Sequence, residues 1–265
     1  MVAPERSFAV TALSFTVLAV GCASNSKVVS TTAKSPSRSV SASASAADPV
    51  VLAAASLTKV FPMIEPQAHF SFGGSGALAT DIEQGAPDDV YAAASPQNPT
   101  MLYAKGLIDK PVPFVTNTLV LIVPAGNPAH IKSVSGITKK GVKIVICNAT
   151  VPCGDYARTA FVNLGITPAA MKNVVSQASD VTQVVADVAS GAADAGFVYI
   201  TDADAAKGKV KVVRLPARAK PGTIDEIAVN AKAPHASAAR AFEADVLSAT
   251  GQAILRRAGF GPPPK

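Results

Sequence analysis

Hydrophobic and polar positions follow two alternating periods along this chain. From about Asp48, short and mostly apolar runs at residues 50–54, 68–72 and 90–94 read as strands. Each gives way to a stretch in which apolar residues recur every three or four positions, predicting helices over 56–64, from Ser75 onward through Leu78 and Ile82, and over 98–105. Residues 118–123 open a second series. It comprises a strand at 143–147, a helix at 154–164, an edge of sheet at 174–175, a helix at 181–189 and strands at 195–199 and 209–215. A strand at 224–229 and two helices between His235 and Arg257 return the chain to its first unit, and 259–265, with three prolines, reads as a loose tail.

Strands alternating with helices of this length imply βαβ units. The expected fold is α/β: two α/β lobes with mixed, largely parallel sheets and a ligand cleft between them. Lobe 1 takes residues 48–116 and 215–265, and lobe 2 takes 117–214. Small ligands favour such clefts beside the carboxyl ends of parallel strands.

The first 21 residues read as an export signal, with Arg6 ahead of an apolar run at 8–20 that is too short for a comfortable membrane span. The ending Leu18-Ala19-Val20-Gly21-Cys22 resembles a bacterial lipobox, which makes Cys22 the expected lipidation site and places the protein on the outer face of the cell membrane. The alternative is an ordinary secretory signal with an incidental cysteine. Residues 22–47, rich in Ser and Ala, have too few large apolar side chains to bury a core and read as a flexible tether.

A hydrophobic content of 49% against 16% charge suits a globular body. The net charge is +6, of which about +4 falls on that body without forming a basic stripe, and aromatic residues are scarce. Nucleic-acid binding by base stacking is therefore unsupported.

Candidate chemistry centres on Phe72-Gly73-Gly74-Ser75-Gly76, where a strand feeds a glycine-rich turn and a helix begins at once. Backbone N–H groups at a helix start, together with a hydroxyl, suit an anion; a plain turn with a capping serine is the alternative. Rival chemistries fare poorly. Ala77 stands where a Gly-x-Ser-x-Gly nucleophile elbow needs glycine, and no Gly-Lys-Ser/Thr follows the glycines as a phosphate loop requires. His69 falls in a strand, His130 in a loop and His235 at a helix start, so none is placed as a general base. Asp88-Asp89 reads as turn punctuation before a strand. Asp155 and Asp180 stand beside helix starts, where stabilising the helix is their plain role.

Four motifs together resemble one family. They are Ala53-Ala54-Ala55-Ser56-Leu57; Phe72 to Gly76 with Gly85-Ala86-Pro87-Asp88-Asp89-Val90; Val151-Pro152-Cys153-Gly154; and Asp180-Val181 followed by Phe197-Val198-Tyr199 and Asp202-Ala203. They look like the substrate-binding proteins of bacterial molybdate ABC importers, in the type II periplasmic binding-protein superfamily. The resemblance runs over residues 48–260. It implies a non-enzymatic protein without cofactor, which holds molybdate or tungstate through hydroxyl and N–H of Ser56 and of Ser75, N–H of Cys153 and of Val181, and the Tyr199 phenol. It also implies a permease and its ATPase as partners, with a monomer as the default state. No Lys or Arg occurs in these motifs, and a fixed shell of neutral donors can select an oxyanion by size. Sulfate or phosphate on the same fold is the closest rival. Where relatives commonly carry a small residue, this chain has Cys153; it and Cys147 are expected either as a disulfide or as two buried thiols.

Overall fold

The computed structural model describes residues 48–220 and 222–264; the expectations for the export signal, Cys22 and the tether lie outside them. The strands are β1 (Val50–Ala54), β2 (His69–Gly73), β3 (Val90–Ala93), β4 (Val112–Pro124), β5 (Ile144–Cys147), β6 (Val174–Ala178), β7 (Ala195–Tyr199), β8 (Val210–Val213) and β9 (Gly222–Val229). The helices are α1 (Phe61–Ile64), α2 (Ser75–Glu83), α3 (Gln97–Ala104), α4 (Pro152–Leu164), α5 (Thr167–Lys172), α6 (Val181–Ala189), α7 (Ile200–Ala205), α8 (Ala236–Leu247) and α9 (Ala249–Arg257).

The strands form one mixed sheet in the order β2-β1-β3-β9-β4-β7-β5-β6, with β8 also paired to β4. Toward each end the pairing is parallel: β1 with β2 and β3, and β5 with β6 and β7. In the middle it is antiparallel and depends on β4. That strand pairs with β9 from Val112 to Thr118 and with β7 from Leu119 to Ile122, so a single strand of 13 residues joins the two parallel regions.

Near-continuous apolar runs make strands buried on both faces. In β1, Val51 and Ala53 enter the main core with Phe61, Phe114, Phe197 and Phe242, whereas Leu52 faces a smaller cluster with Leu78, Ile82, Tyr91 and Leu102. Phe61 stands at the centre of an aromatic group, 5.3 Å from the ring of Phe242 and 6.0 Å from that of Phe114.

Four local expectations need correction. The helix over 56–64 is broken into a single 3-10 turn at Ala55–Leu57 and the short α1, because Pro62 has no N–H to continue a helix and is accommodated only in a first turn. The strand expected at 118–123 begins at Val112. The tail is not loose up to Pro262: Thr116 N–H donates to the Gly261 carbonyl at 3.1 Å, Gly261 N–H returns the bond at 2.8 Å, and Phe260 is buried. Asp88 and Asp89 are more than turn residues. Both are buried; Asp89 accepts from Val50 N–H (2.8 Å) and His235 N–H (2.7 Å) and pairs with the His235 ring (3.0 Å), while Asp88 accepts from Asn230 at 2.7 Å. Burial alone would raise the Asp89 carboxyl, but these donors hold it below the usual carboxylate range. The pair therefore ties β1 and β3 to the chain beyond β9.

Candidate functional site

Ser56, Ser75, Cys153, Val181 and Tyr199 meet at one small cavity, which is also lined by Ala54, Ala55, Gly73, Gly74, Ala94, Val151, Pro152 and Asp180. Ser56, Ser75, Cys153 and Val181 follow the carboxyl ends of β1, β2, β5 and β6, and Tyr199 ends β7. All five strands lie in the parallel regions, so the topology alone aims five chain segments at one point.

Each segment turns there for its own reason. Gly73-Gly74 ends β2, and Ser75 opens α2. Pro152 starts α4 with its preset φ and leaves Cys153 as the next residue. Asp180 caps α6, its carboxylate accepting from Thr182 N–H (2.8 Å) and Gln183 N–H (3.1 Å). Asp202 accepts from Tyr199 N–H at 3.0 Å and fixes the start of α7. Ser75, Cys153 and Val181 thus stand in the first turn of their helices, where an N–H has no carbonyl one turn earlier to receive it. Ser56 differs, since it sits in the 3-10 turn.

The hydroxyls at the cavity differ in how they are held. Ser56 Oγ and Tyr199 OH are buried and have no hydrogen-bond partner among the described residues. Such groups are costly unless something else satisfies them. Ser75 Oγ accepts from Ala94 N–H at 3.2 Å, which leaves its proton free to donate into the cavity, and Tyr91 OH donates to the Ser75 carbonyl at 2.7 Å, holding the turn. Ala94 and Tyr91 are contributors that the motifs did not single out.

Among the described residues, no Lys, Arg or His lines the cavity. Carboxyl groups do stand behind it, and burial disfavours their charged form. Burial lifts Asp202 to about 7 against the N–H it accepts. On β9, Asp225 is fully buried with neither carboxyl oxygen partnered among the described residues, and burial, reinforced by Asp202, raises it well above the usual range. The Tyr199 phenol is also raised, first by burial and then by Asp225, so it remains a neutral donor. Cys147 and Cys153 are joined by a disulfide with Cα atoms 5.8 Å apart, one of the two readings left open by the sequence. The bond closes the loop that presents the Cys153 N–H.

The profile of a family described as bacterial extracellular solute-binding proteins matches residues 35–261. The chain belongs to that family. This solute-binding protein is 38% identical over 224 residues to the molybdate-binding protein ModA of Mycobacterium tuberculosis, across 81% of the chain and 84% of the relative. Its fold resembles the periplasmic molybdate-binding protein of Azotobacter vinelandii, at TM-score 0.72 and 23% identity, over 82% of the chain and 100% of that structure. It also resembles the sulfate-binding protein SubI of Mycobacterium tuberculosis, at TM-score 0.67 and 18% identity, over 81% of the chain and 86% of that structure. The fold is therefore that of periplasmic binding proteins, and the relatives are solute-binding transport proteins rather than enzymes. Fold likeness at this identity does not choose among oxyanions; the residues at the cavity must.

Proposed function

We propose that this solute-binding protein captures molybdate, and tungstate with it, outside the cytoplasm and delivers it to an ABC importer. The observation that carries this reading is the convergence of Ser56 Oγ and Tyr199 OH, both buried and unpartnered, with three helix starts in a cavity without cations. The shell has about seven donors: hydroxyl and N–H of Ser56 and Ser75, N–H of Cys153 and Val181, and the Tyr199 phenol. Hydrogen bonds to a charged group contribute roughly 1.5 to 3 kcal/mol each. Seven such bonds give roughly 10 to 21 kcal/mol against an association cost of about 4 to 15 kcal/mol, so tight capture is feasible without a salt bridge.

Hydrogen phosphate brings a proton that wants an acceptor. Asp180 is the carboxylate lining the cavity; its Oδ1 accepts from the first N–H groups of α6, and its Oδ2 accepts from Ser179 Oγ at 3.2 Å. This favours a fully deprotonated dianion. Sulfate satisfies that condition too, and a shell fixed by backbone donors separates it from molybdate by size.

In this reading residues 48–116 with 215–265 form one lobe and 117–214 the other, and the lobes close on the ligand. The first 21 residues are removed as a lipoprotein signal, Cys22 carries the lipid, and 22–47 tether a monomeric body to the membrane, within reach of the permease and its ATPase.

Titration calorimetry of the purified chain tests the ligand. Molybdate and tungstate are expected to bind at low ligand concentration, with sulfate much weaker. No molybdate heat, or sulfate binding equally well, refutes the assignment.

A further inference from the structure

We infer that Gly74 and Gly76 are closure residues of the proposed oxyanion site: their missing side chains let the first turn of α2 seat against the opposite wall, and this seating governs how long the ligand is held. The inference rests on the two-lobed binding reading above.

A turn does not explain these glycines. Gly74 has φ −68° and ψ 127°, a conformation open to any residue, and Gly76 lies inside α2 without a positive φ. Space is what excludes a side chain. A Cβ on Gly74 would run into the Ser179 carbonyl oxygen and stand 3.0 Å from Val151 Cγ2; one on Gly76 would run into the Thr150 carbonyl oxygen and stand 2.9 Å from its carbon. Backbone atoms cannot yield by changing rotamer. Gly73 is different, since a Cβ there meets only Leu78 at an ordinary 3.6 Å.

The contacts flank Ser75, so one turn carries both a donor and the two points that abut the far wall. That wall is braced. The disulfide spans residues 148–152, Asn148 N–H donates to the Ala178 carbonyl at 2.9 Å, and Val151 N–H donates to the Asn148 carbonyl at 3.1 Å. Lys59 Nζ donates to the Ala205 carbonyl at 3.0 Å, a second tie between the same two proposed lobes. A methyl group at 74 or 76 would hold α2 away from the wall and leave the donors on the two sides too far apart to share one anion.

The test compares Gly74→Ala and Gly76→Ala with Gly126→Ala, an exposed glycine whose Cβ meets nothing within 4 Å. Stopped-flow binding of molybdate and the thermal midpoint of ligand-free protein are measured for each. For the first two variants the expected result is an unchanged ligand-free midpoint and a Kd weakened by about tenfold or more, carried mainly by faster dissociation. Gly126→Ala should match wild type. Unchanged affinity in both site variants, or a fallen ligand-free midpoint without faster dissociation, overturns the proposal. Failure of Gly76→Ala to fold would mark that contact as permanent packing and overturn its part, with Gly74→Ala deciding the rest. A wild type that binds sulfate or phosphate but not molybdate refutes only the ligand assignment, and dissociation rates are then compared with that anion. Binding of no oxyanion overturns both.

Discussion

Ser75 and Tyr199 are held in different ways within one proposed shell. Ser75 is fixed by its neighbours, accepting from Ala94 N–H and anchored at its carbonyl by Tyr91, so only its proton is left to give. Tyr199 has its N–H held by Asp202, while its phenol is buried without a partner. Removing that phenol therefore breaks no bond within the protein. Tyr199→Phe should leave ligand-free stability at or above wild type and weaken molybdate about 10- to 100-fold, the loss of one hydrogen bond to a charged acceptor. Thermal unfolding and calorimetry on the same variant check both halves. At this scale the sequence was informative because a hydroxyl or helix start directly after a strand is a local signal. Asp225 was not legible in this way. It lies in a strand with ordinary alternation, and only the folded sheet brings it near Tyr199 and Asp202.

Strands β1, β5 and β7 and helix α6 were legible almost to the residue, since apolar runs and a clear three-to-four period mark them. Short elements were not. The six-residue α7 has the sequence Ile-Thr-Asp-Ala-Asp-Ala, too little apolar to show a period, and it forms because Asp202 caps it and the end of β7 positions it. The six-residue α5 is likewise too short to show a stripe, although Pro168 marks its first turn. The 3-10 turn bearing Ser56 shows the limit of periodicity, because one proline outweighed a helical pattern. The disulfide is the element-scale feature with the plainest energetic consequence. It closes a loop of few residues, and the chain-entropy relation assigns such a loop about 2 kcal/mol. Replacing both cysteines by serine should lower unfolding free energy by about that amount in denaturant titrations, with reduced protein behaving alike.

At the scale of the molecule, the alternation of strands and helices foretold α/β architecture, but it was silent on how the two parallel regions would join. Pairing partners are not written in a strand's own sequence, and β4, whose apolar halves are separated by Thr116-Asn117-Thr118, serves β9 with its first half and β7 and β8 with its second. If the regions are lobes that close on a ligand, small-angle scattering should show a smaller radius of gyration on adding molybdate, and none on adding chloride at equal ionic strength. An unchanged radius with demonstrated binding would mean a site already closed before capture.

If the two regions are lobes, the crossing at β4 would also determine what kind of movement is available to them. The chain passes between the two regions within β4, after Thr118, and again on entering β9, and Thr118 pairs with Gly222 there, so both passages lie side by side. Two adjacent tapes bonded to each other resist sliding and swivelling but bend readily about one line, as a door hung on two pins swings and a ball joint does not. Capture would then follow one arc. The walls would meet in the same register on every cycle, and the distances between donors on opposite sides would be reproduced each time. A container that measures its contents by size needs that repeatability more than it needs strength.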